Sequence, residues 1–480
     1  MSDGARSHQQ WTLRVVCVST ALLMLNVAAP QVALEEIGSS LRASFSELQW
    51  VLSGYALALA VLLLTAGSLA DRFGRRKLFL GGLTLFGAAS AVCAIAPGPT
   101  ALIAARILQG IGAAVVFPSS LAILAEEFQG AERRRAIGVW GAVIGLSFAA
   151  GPLIGGILVD VLGWRAVFAA SALLAAPTIA FAMRHVRETR DPDPPPVDFR
   201  GVGTLCAGLF LGVYAVLRGN EAGWTSATVL GCLGGAAVLL AAFLAVEHGT
   251  ARPMLDLALF RNRTFTGATL VVFLLGCGTF GAFVYVTLFL LDVQGRDPIE
   301  AGLVLAPFAL VSFVVSAAAG RVSERLPLRA GLATGMLVMA AGVLATRLVL
   351  SPDVSWLELL PGLMITGAGV GLANPLVTFA HLGVLPPARG GLASALNNTA
   401  RQIGLAIGIA VLGALLEASL DGAGGDRAQA YSDGVGELLW IAIGLTVAGA
   451  LAALGLVRQQ DLWAPPEPAA AEPEREPAAV

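Results

Sequence analysis

The chain has 480 residues, 56% of them hydrophobic and 13% charged, with a formal net charge of −2 and a mean hydropathy of +0.79. A water-soluble chain carries about 25% charged residues, so a soluble domain is excluded. The near-neutral balance excludes a nucleic-acid partner, because there is no basic surplus to release phosphate counterions. Long continuous apolar runs, rather than alternating ones, exclude a β-barrel.

In chain order the apolar runs predict spans at 13–34, 50–70, 78–96, 100–124, 136–159, 166–183, 201–217, 226–246, 265–291, 300–319, 330–350, 357–379, 392–416 and 435–457. Each is long enough to cross about 30 Å of hydrocarbon. The expected fold is an all-α integral membrane protein with 14 transmembrane helices. Loops after even-numbered spans hold most of the arginines, including Arg72, Arg75, Arg76, Arg133, Arg134, Arg135, Arg184, Arg187, Arg252, Arg261, Arg321, Arg325 and Arg389. The opposite loops hold few. The positive-inside rule therefore places both termini in the cytoplasm, in a cytoplasmic (inner) membrane.

The expected organisation is a cytoplasmic tail over 1–12, a six-helix bundle over 13–183, and a proline-rich cytoplasmic linker over 184–200. A two-helix insertion over 201–246 and a cytoplasmic loop over 247–264 follow. A second six-helix bundle over 265–457 precedes a disordered tail over 458–480. The linker contains Asp191-Pro-Asp-Pro-Pro-Pro, which cannot be helical, and the tail is Pro, Ala and Glu. Residues 417–434 read as a longer outer polar loop. No small-residue cleavage pattern follows the first run, so no cleavable signal peptide is expected.

The two bundles echo each other. Gly67-Ser-Leu-Ala-Asp71-Arg72 after span two returns as Gly320-Arg-Val-Ser-Glu324-Arg325 after span ten, and Gly110, Gly112 and Pro118 return as Gly367, Gly369 and Pro375. The offsets are 253 and 257 residues. Repeats of this kind build transporters, with the substrate held where the repeats meet, near the midplane. The expected architecture is thus two pseudo-symmetric six-helix bundles plus the two-helix insertion.

Polar residues inside the spans are the candidate site. Arg106 lies about 6–9 Å inside span four, where an arginine must face a cavity or a partner. Gln109, Gly110, Ala113 and Phe117 follow it at helical spacing. Ser394, Asn397, Asn398 and Arg401 share one side of span thirteen. These groups suit substrate binding; the arginine could equally pair with backbone carbonyls, and the asparagines could serve as interhelical glue. Tyr55, Phe117 and Trp140 could line an amphipathic pocket or simply pack. Gly145, Gly151, Pro152, Gly155 and Gly156 fall in one helix, which fits either a bent gating helix or close glycine-mediated packing. Asp71 could cap a neighbouring helix N-terminus, and Arg75 could pair with Glu126 or Glu127.

The five cysteines are not at metal-ligand spacing and the four histidines are scattered, so neither a metal nor a cofactor is expected. No membrane-embedded nucleophile, metal triad or acid pair is found, so an enzyme is not expected.

Several motifs, in order along the chain, resemble those of the major facilitator superfamily, in particular its 14-helix drug:proton antiporter branch. Gly67-Ser-Leu-Ala-Asp-Arg-Phe-Gly-Arg-Arg-Lys77 looks like the signature between helices two and three. Asn26-Val-Ala-Ala-Pro30, Gln49-Trp50-Val-Leu-Ser-Gly-Tyr55, Arg106-Ile-Leu-Gln-Gly110 and the glycine-rich stretch 145–156, similar to the antiporter motif, follow the branch pattern. So do the stretches 255–265 and 389–404. The resemblance implies an exporter of an amphipathic small molecule working by alternating access, with a proton as coupling ion. Asn26, Tyr55, Arg106 and Gln109 stand as candidate substrate-binding residues, and the resemblance implies that the cluster around Gly67, Asp71, Arg75, Glu126 and Glu127 latches the bundles together on the cytoplasmic side.

One departure matters. The branch usually has an aspartate five residues before the Asn-Val-Ala motif, and here Ala21 stands there with no acid in residues 20–25. Acids lie only at span ends, which leaves Asp292, Glu300 and Glu358 as proton-coupling candidates. A cavity charged by arginine favours a neutral, zwitterionic or anionic cargo, because cationic cargo needs buried acids. The alternatives are a proton-independent facilitator or uptake carrier, or a non-transporting membrane sensor or scaffold. The expected partners are the lipid bilayer and a small amphipathic substrate, with the chain a monomer.

Overall fold

The computed structural model describes residues 3–189, 198–250, 253, 255, 257–323, 327–385, 390–421 and 427–462. Fourteen helical passes run through it. α1 (Asp3–Ala28) breaks at a 3-10 turn, Ala29–Ala33, and resumes as Leu34–Leu41. The break falls at Pro30, which has no N–H to give to an α-helical bond. α2 (Phe45–Phe73) opens with a Ser44/Glu47 capping box. α3 (Arg75–Ala94), α4 (Pro99–Glu127), α5 (Gly130–Leu162) and α6 (Arg165–His185) complete the first half. α7 (Phe199–Ala222) and α8 (Ala227–Gly249) form the insertion.

The second half begins with α9 (Arg263–Leu275), which continues through π-turns at Gly276–Phe280 and Phe289–Val293 on either side of Gly281–Leu288. It ends with α10 (Pro298–Ser323), α11 (Leu328–Val349), α12 (Trp356–Val384), α13 (Gly390–Asp421) and α14 (Arg427–Leu456). Thirteen passes have long apolar windows, and α5, 33 residues in one continuous helix, is the fourteenth. The expected number of spans is thus met.

The two halves repeat one packing scheme. α4 lies between α2 and α3, and α12 lies between α10 and α11. The repeated glycines explain how closely these helices approach. A Cβ at Gly112 would stand 2.6 Å from the backbone nitrogen of Phe86 on α3, and one at Gly369 would strike the backbone of Met339 on α11. Small residues at such crossings let backbones meet where lipid offers no competing hydrophobic drive.

The halves meet along two seams, α2 with α13 and α5 with α10. α7 rests on both α2 and α13, and α8 packs on α7. Leu205, Leu209, Val213 and Leu217, spaced four residues apart on α7, are buried against the main core, as one helical stripe should be.

Several boundaries differ from the sequence expectation. The first helix begins at Asp3 rather than near residue 13, because its polar start is anchored. Gln9 donates to the Glu127 carbonyl at 3.0 Å, Thr12 to that of His185 at 2.8 Å, and Trp11 stacks on Phe181 at 5.5 Å. At the other terminus, residues 458–462 dock on the start of α9. The Asp461 carboxylate accepts from the Thr264 hydroxyl at 3.0 Å, and Thr264 Oγ1 accepts from the Arg458 N–H at 2.7 Å. Helices α13 and α14 extend into the stretch expected as an outer loop, reaching Asp421 and resuming at Arg427. The proline run at 190–197 and the tail beyond residue 462 lie outside the described residues.

Candidate transport site and gates

The first half is organised around Arg106, which is fully buried with Gln109 and Tyr55, while Asn26 is 1% exposed. Its Nε donates to the Val51 carbonyl on α2 at 2.8 Å, one terminal nitrogen to Gln109 Oε1 at 2.5 Å, and the other to the Asn26 carbonyl on α1 at 3.1 Å. Gln109 Nε2 donates to Asn26 Oδ1 at 2.9 Å and to the Ser90 hydroxyl on α3 at 2.8 Å. Asn26 Nδ2 donates to the Ser171 hydroxyl on α6 at 2.7 Å. The guanidinium also lies 4.3 Å from the Tyr55 ring and 5.7 Å from that of Phe168. Tyr55 is held in turn by its bond to the Leu23 carbonyl at 3.0 Å. One arginine thus ties five helices together, and carbonyl dipoles and ring faces do the work of a counter-ion.

Arg106, Gln109, Asn26 and Tyr55 are therefore brought together as expected, but into the interior of one half. Phe117 packs instead on Trp140 of α5 at 5.1 Å, and Trp140 Nε1 donates to Thr20 Oγ1 at 2.8 Å. Ser90 and Ser171 complete the Arg106 network and were missed. Their only sequence signal is a hydroxyl within an apolar run, and a serine in a membrane helix often satisfies itself on its own backbone.

The second half is less closed. The Arg401 guanidinium donates to Asn398 Oδ1, and Asn397 Nδ2 donates to Thr378 Oγ1 on α12 at 3.4 Å. Thr399 reaches the other half, donating to the Ala60 carbonyl on α2 at 3.2 Å. Asn374 Oδ1, Asn397 Oδ1 and Gln402 Nε2 are buried with no hydrogen-bond partner. The side chain of Ser394 lies outside the described residues. Asn374, Thr378 and Gln402 are the members of this group that sequence periodicity did not bring forward.

At the end of the molecule that carries the chain termini, Arg75 pairs with Glu126 at 3.1 Å. Both belong to the first half, so this pair joins α3 to α4 and does not bridge the bundles. Glu127 lies 4.0 Å from His8. The cap on α3 comes from an unexpected residue. The Glu188 carboxylate, just past α6, accepts from the backbone N–H groups of Arg76 at 3.1 Å and Lys77 at 3.2 Å. A carboxylate at a helix N-terminus meets unpaired amides and the positive end of the dipole. Gly74, at φ 108° between α2 and α3, leaves the space that Glu188 fills: a Cβ there would lie 2.6 Å from its Oε1. The side chain of Asp71 and the surroundings of Gly145 lie outside the described residues. A Cβ at Gly67 would sit 3.8 Å from Pro118 of α4, ordinary packing distance.

The described contacts between the halves concentrate toward the opposite, far end. Gly156 of α5 lies against the Pro298 carbonyl of α10, and a Cβ at Gly302 would come within 2.9 Å of the Pro152 carbonyl. Gly151 and Gly155 face the broken stretch of the first pass, where added Cβ atoms would meet Ala28 at 2.5 Å and the Ala29 carbonyl at 2.7 Å. Across the other seam, Gln49 of α2 donates to the Tyr285 hydroxyl at 3.1 Å, and Tyr285 donates to the Ile409 carbonyl of α13. Gly413 is the notch that admits this pair: a Cβ there would collide with both side chains.

The acidic candidates also lie at the far end. Asp292 and Glu300 are exposed at the ends of their helices. Glu358 caps α12, accepting from the Ser355 N–H at 2.9 Å. Among the described residues the one buried carboxylate is that of Glu247 in the insertion.

Two half-barrels of six helices joined by close glycine seams, with the polar groups held inside the bundles, define a secondary-transporter architecture. The family model described as Major Facilitator Superfamily matches residues 16–409, and the chain belongs to that family. It is 35% identical over 417 residues to the multidrug resistance protein Stp of Mycobacterium tuberculosis, covering 86% of this chain and 76% of that protein. It is 33% identical over 423 residues to the tetracenomycin C resistance and export protein of Streptomyces glaucescens, covering 86% and 77%. Among solved structures, it matches a bacterial homologue of the human lysosomal transporter Spinster, in an inward-facing and unoccupied conformation, with a TM-score of 0.67 and 18% identity, covering 97% of this chain and all of that one. The chain is therefore a membrane transporter of this superfamily and not an enzyme.

Proposed function

We propose that the protein exports an amphipathic small molecule across the cytoplasmic membrane by alternating access, with both termini in the cytoplasm and a proton as the coupling ion. The carrying observation is the pair of far-end seams, where Gly156 and Gly413 let helices of opposite halves close together. Contacts of that kind separate and re-form as two rigid bundles rock about a central site. The names of the relatives, a multidrug resistance protein and an antibiotic resistance and export protein, favour efflux over uptake.

The interior favours neutral, zwitterionic or anionic cargo. Arg106 is buried and Arg401 half-buried within the halves, while the one buried carboxylate among the described residues, Glu247, lies in the two-helix insertion, so a cation bound between the halves would find no buried counter-charge. Proton coupling would run through Asp292 or Glu300, the two candidates that no cap occupies.

Flux into inverted vesicles, measured for anionic, neutral and cationic amphiphiles with and without a pH gradient, tests both parts. Gradient-driven uptake of anionic or neutral compounds is expected. Flux indifferent to the gradient would leave a facilitator, and a preference for cations would remove the electrostatic reading.

A further inference from the structure

The 257-residue offset that superposes Gly110 on Gly367 also pairs Phe117 with Asn374, Leu121 with Thr378 and Leu124 with His381. Three successive turns of the same helix face are apolar in α4 and polar in α12. In the first half this face is filled, with Phe117 buried on Trp140. In the second half it is left with unmet hydrogen-bonding capacity.

Thr378 Oγ1 donates to the Asn374 carbonyl at 3.0 Å and accepts from Asn397 Nδ2 at 3.4 Å. The side-chain oxygens of Asn374, one turn before this threonine on α12, and of Asn397, whose amide nitrogen bonds to it, are buried and accept from nothing. Asn397 is only 2% exposed. A buried acceptor without a donor is costly, and a donor arriving from outside the chain would relieve that cost. One turn toward the chain termini, His381 is spoken for on both ring nitrogens, by the Val377 carbonyl and by Thr269 Oγ1 at 3.0 Å each, so the unmet capacity stops there. One turn the other way on α13, at i+4 from Asn397, stands Arg401, about 6 Å away between Cβ atoms.

We infer that Asn374, Thr378 and Asn397 form a specificity subsite whose paired amide oxygens accept a hydrogen bond from a hydroxyl group of the cargo, with Arg401 donating to a carbonyl or carboxylate oxygen beside that hydroxyl. The inference rests on the exporter reading and narrows it to amphipathic hydroxy acids and hydroxy ketones. A site built around a substrate hydroxyl rejects the analogue that lacks it, because its own buried acceptors are then left unpaired.

The test uses the full chain in lipid nanodiscs, titrated with 4-hydroxy-2-naphthoate, whose hydroxyl is too far from its own carboxylate to bond to it, and with its 4-methoxy counterpart, whose oxygen cannot donate. Wild type should prefer the hydroxy compound by about tenfold, the equivalent of one well-formed buried hydrogen bond. In Asn374→Leu and Asn397→Leu the preference should fall to near parity, with the affinity for the methoxy compound unchanged. Thr378→Val, the mildest change in volume, should reduce the preference and serves if either leucine variant does not fold. Arg401→Gln should weaken both compounds together. Equal affinities in wild type, absence of binding included, overturn the subsite, as does a preference that survives in Asn374→Leu and Thr378→Val. Vesicle flux of the methoxy compound reports on the exporter reading by itself, since that compound bypasses the subsite.

Discussion

Two arginines occupy the interiors of the two halves, and their surroundings differ. Arg106 has carbonyls on α1 and α2, an amide on its own helix and two aromatic rings around it. Arg401 has a bond to Asn398, one turn back on the same helix, amid amides that are incompletely paired. A guanidinium that bonds through each of its three nitrogens to the protein is a brace, while one held by its own helix is available to a ligand. The sequence offers Arg106 as a substrate-binding residue, whereas the subsite proposed above lies in the second half.

The most severe test of this contrast is Arg106→Ala. Three buried acceptors would lose their donors at roughly 1–3 kcal/mol each, so a destabilisation of about 3–5 kcal/mol is expected, read as loss of folded yield and a sharp fall in the unfolding temperature. Arg401→Ala should unfold within a few degrees of wild type yet lose anion flux. Equal destabilisation by the two substitutions would erase the distinction between brace and ligand.

A smaller effect is expected at the seams. Gly156→Leu forces a side chain into the Pro298 carbonyl and should cut flux about tenfold or more, in line with the 1–3 kcal/mol cost of overpacking, while the protein still folds and inserts. Gln49→Leu removes the bond to Tyr285 that crosses between halves. Worth about 1 kcal/mol, its loss should raise amide hydrogen exchange at the far ends of α2 and α13 a few-fold and leave α4 unchanged. The smallest effect belongs to Glu188→Gln, which weakens the α3 cap by about 0.3–1 kcal/mol, visible as a shift of a degree or two in thermal unfolding.

Much of the fold was legible because lipid leaves few choices: apolar runs had to be helices, and the Gly110/Gly367 and Gly112/Gly369 echoes marked equivalent crossings. The site was legible only by face. Periodicity put Arg106 and Gln109 on one side of α4, but periodicity does not say whether that side meets the other half or the rest of its own. That depended on Ser90 and Ser171, each in a separate helix and each unexceptional alone. Glu188 was illegible for a related reason. It caps a helix that begins more than a hundred residues earlier, and a glutamate beside an arginine-rich linker reads as solvated charge. The break at Pro30 falls inside what reads as one continuous span over 13–34; the missing N–H explains it, and the nesting of Gly151 and Gly155 against it comes from a helix more than a hundred residues away.

The insertion has a mechanical consequence. α7 lies along one helix from each half, with Leu205, Leu209, Val213 and Leu217 buried in the main core. When two bodies pivot against each other, a rod lying in the crease between them must slide on at least one. Leucine and valine on a smooth stripe suit sliding, since no hydrogen bond has to break for each ångström travelled. On the rocking motion proposed above, the hairpin would shield that crease from the bilayer, whereas the α5/α10 crease would rely on its own glycines to stay shut.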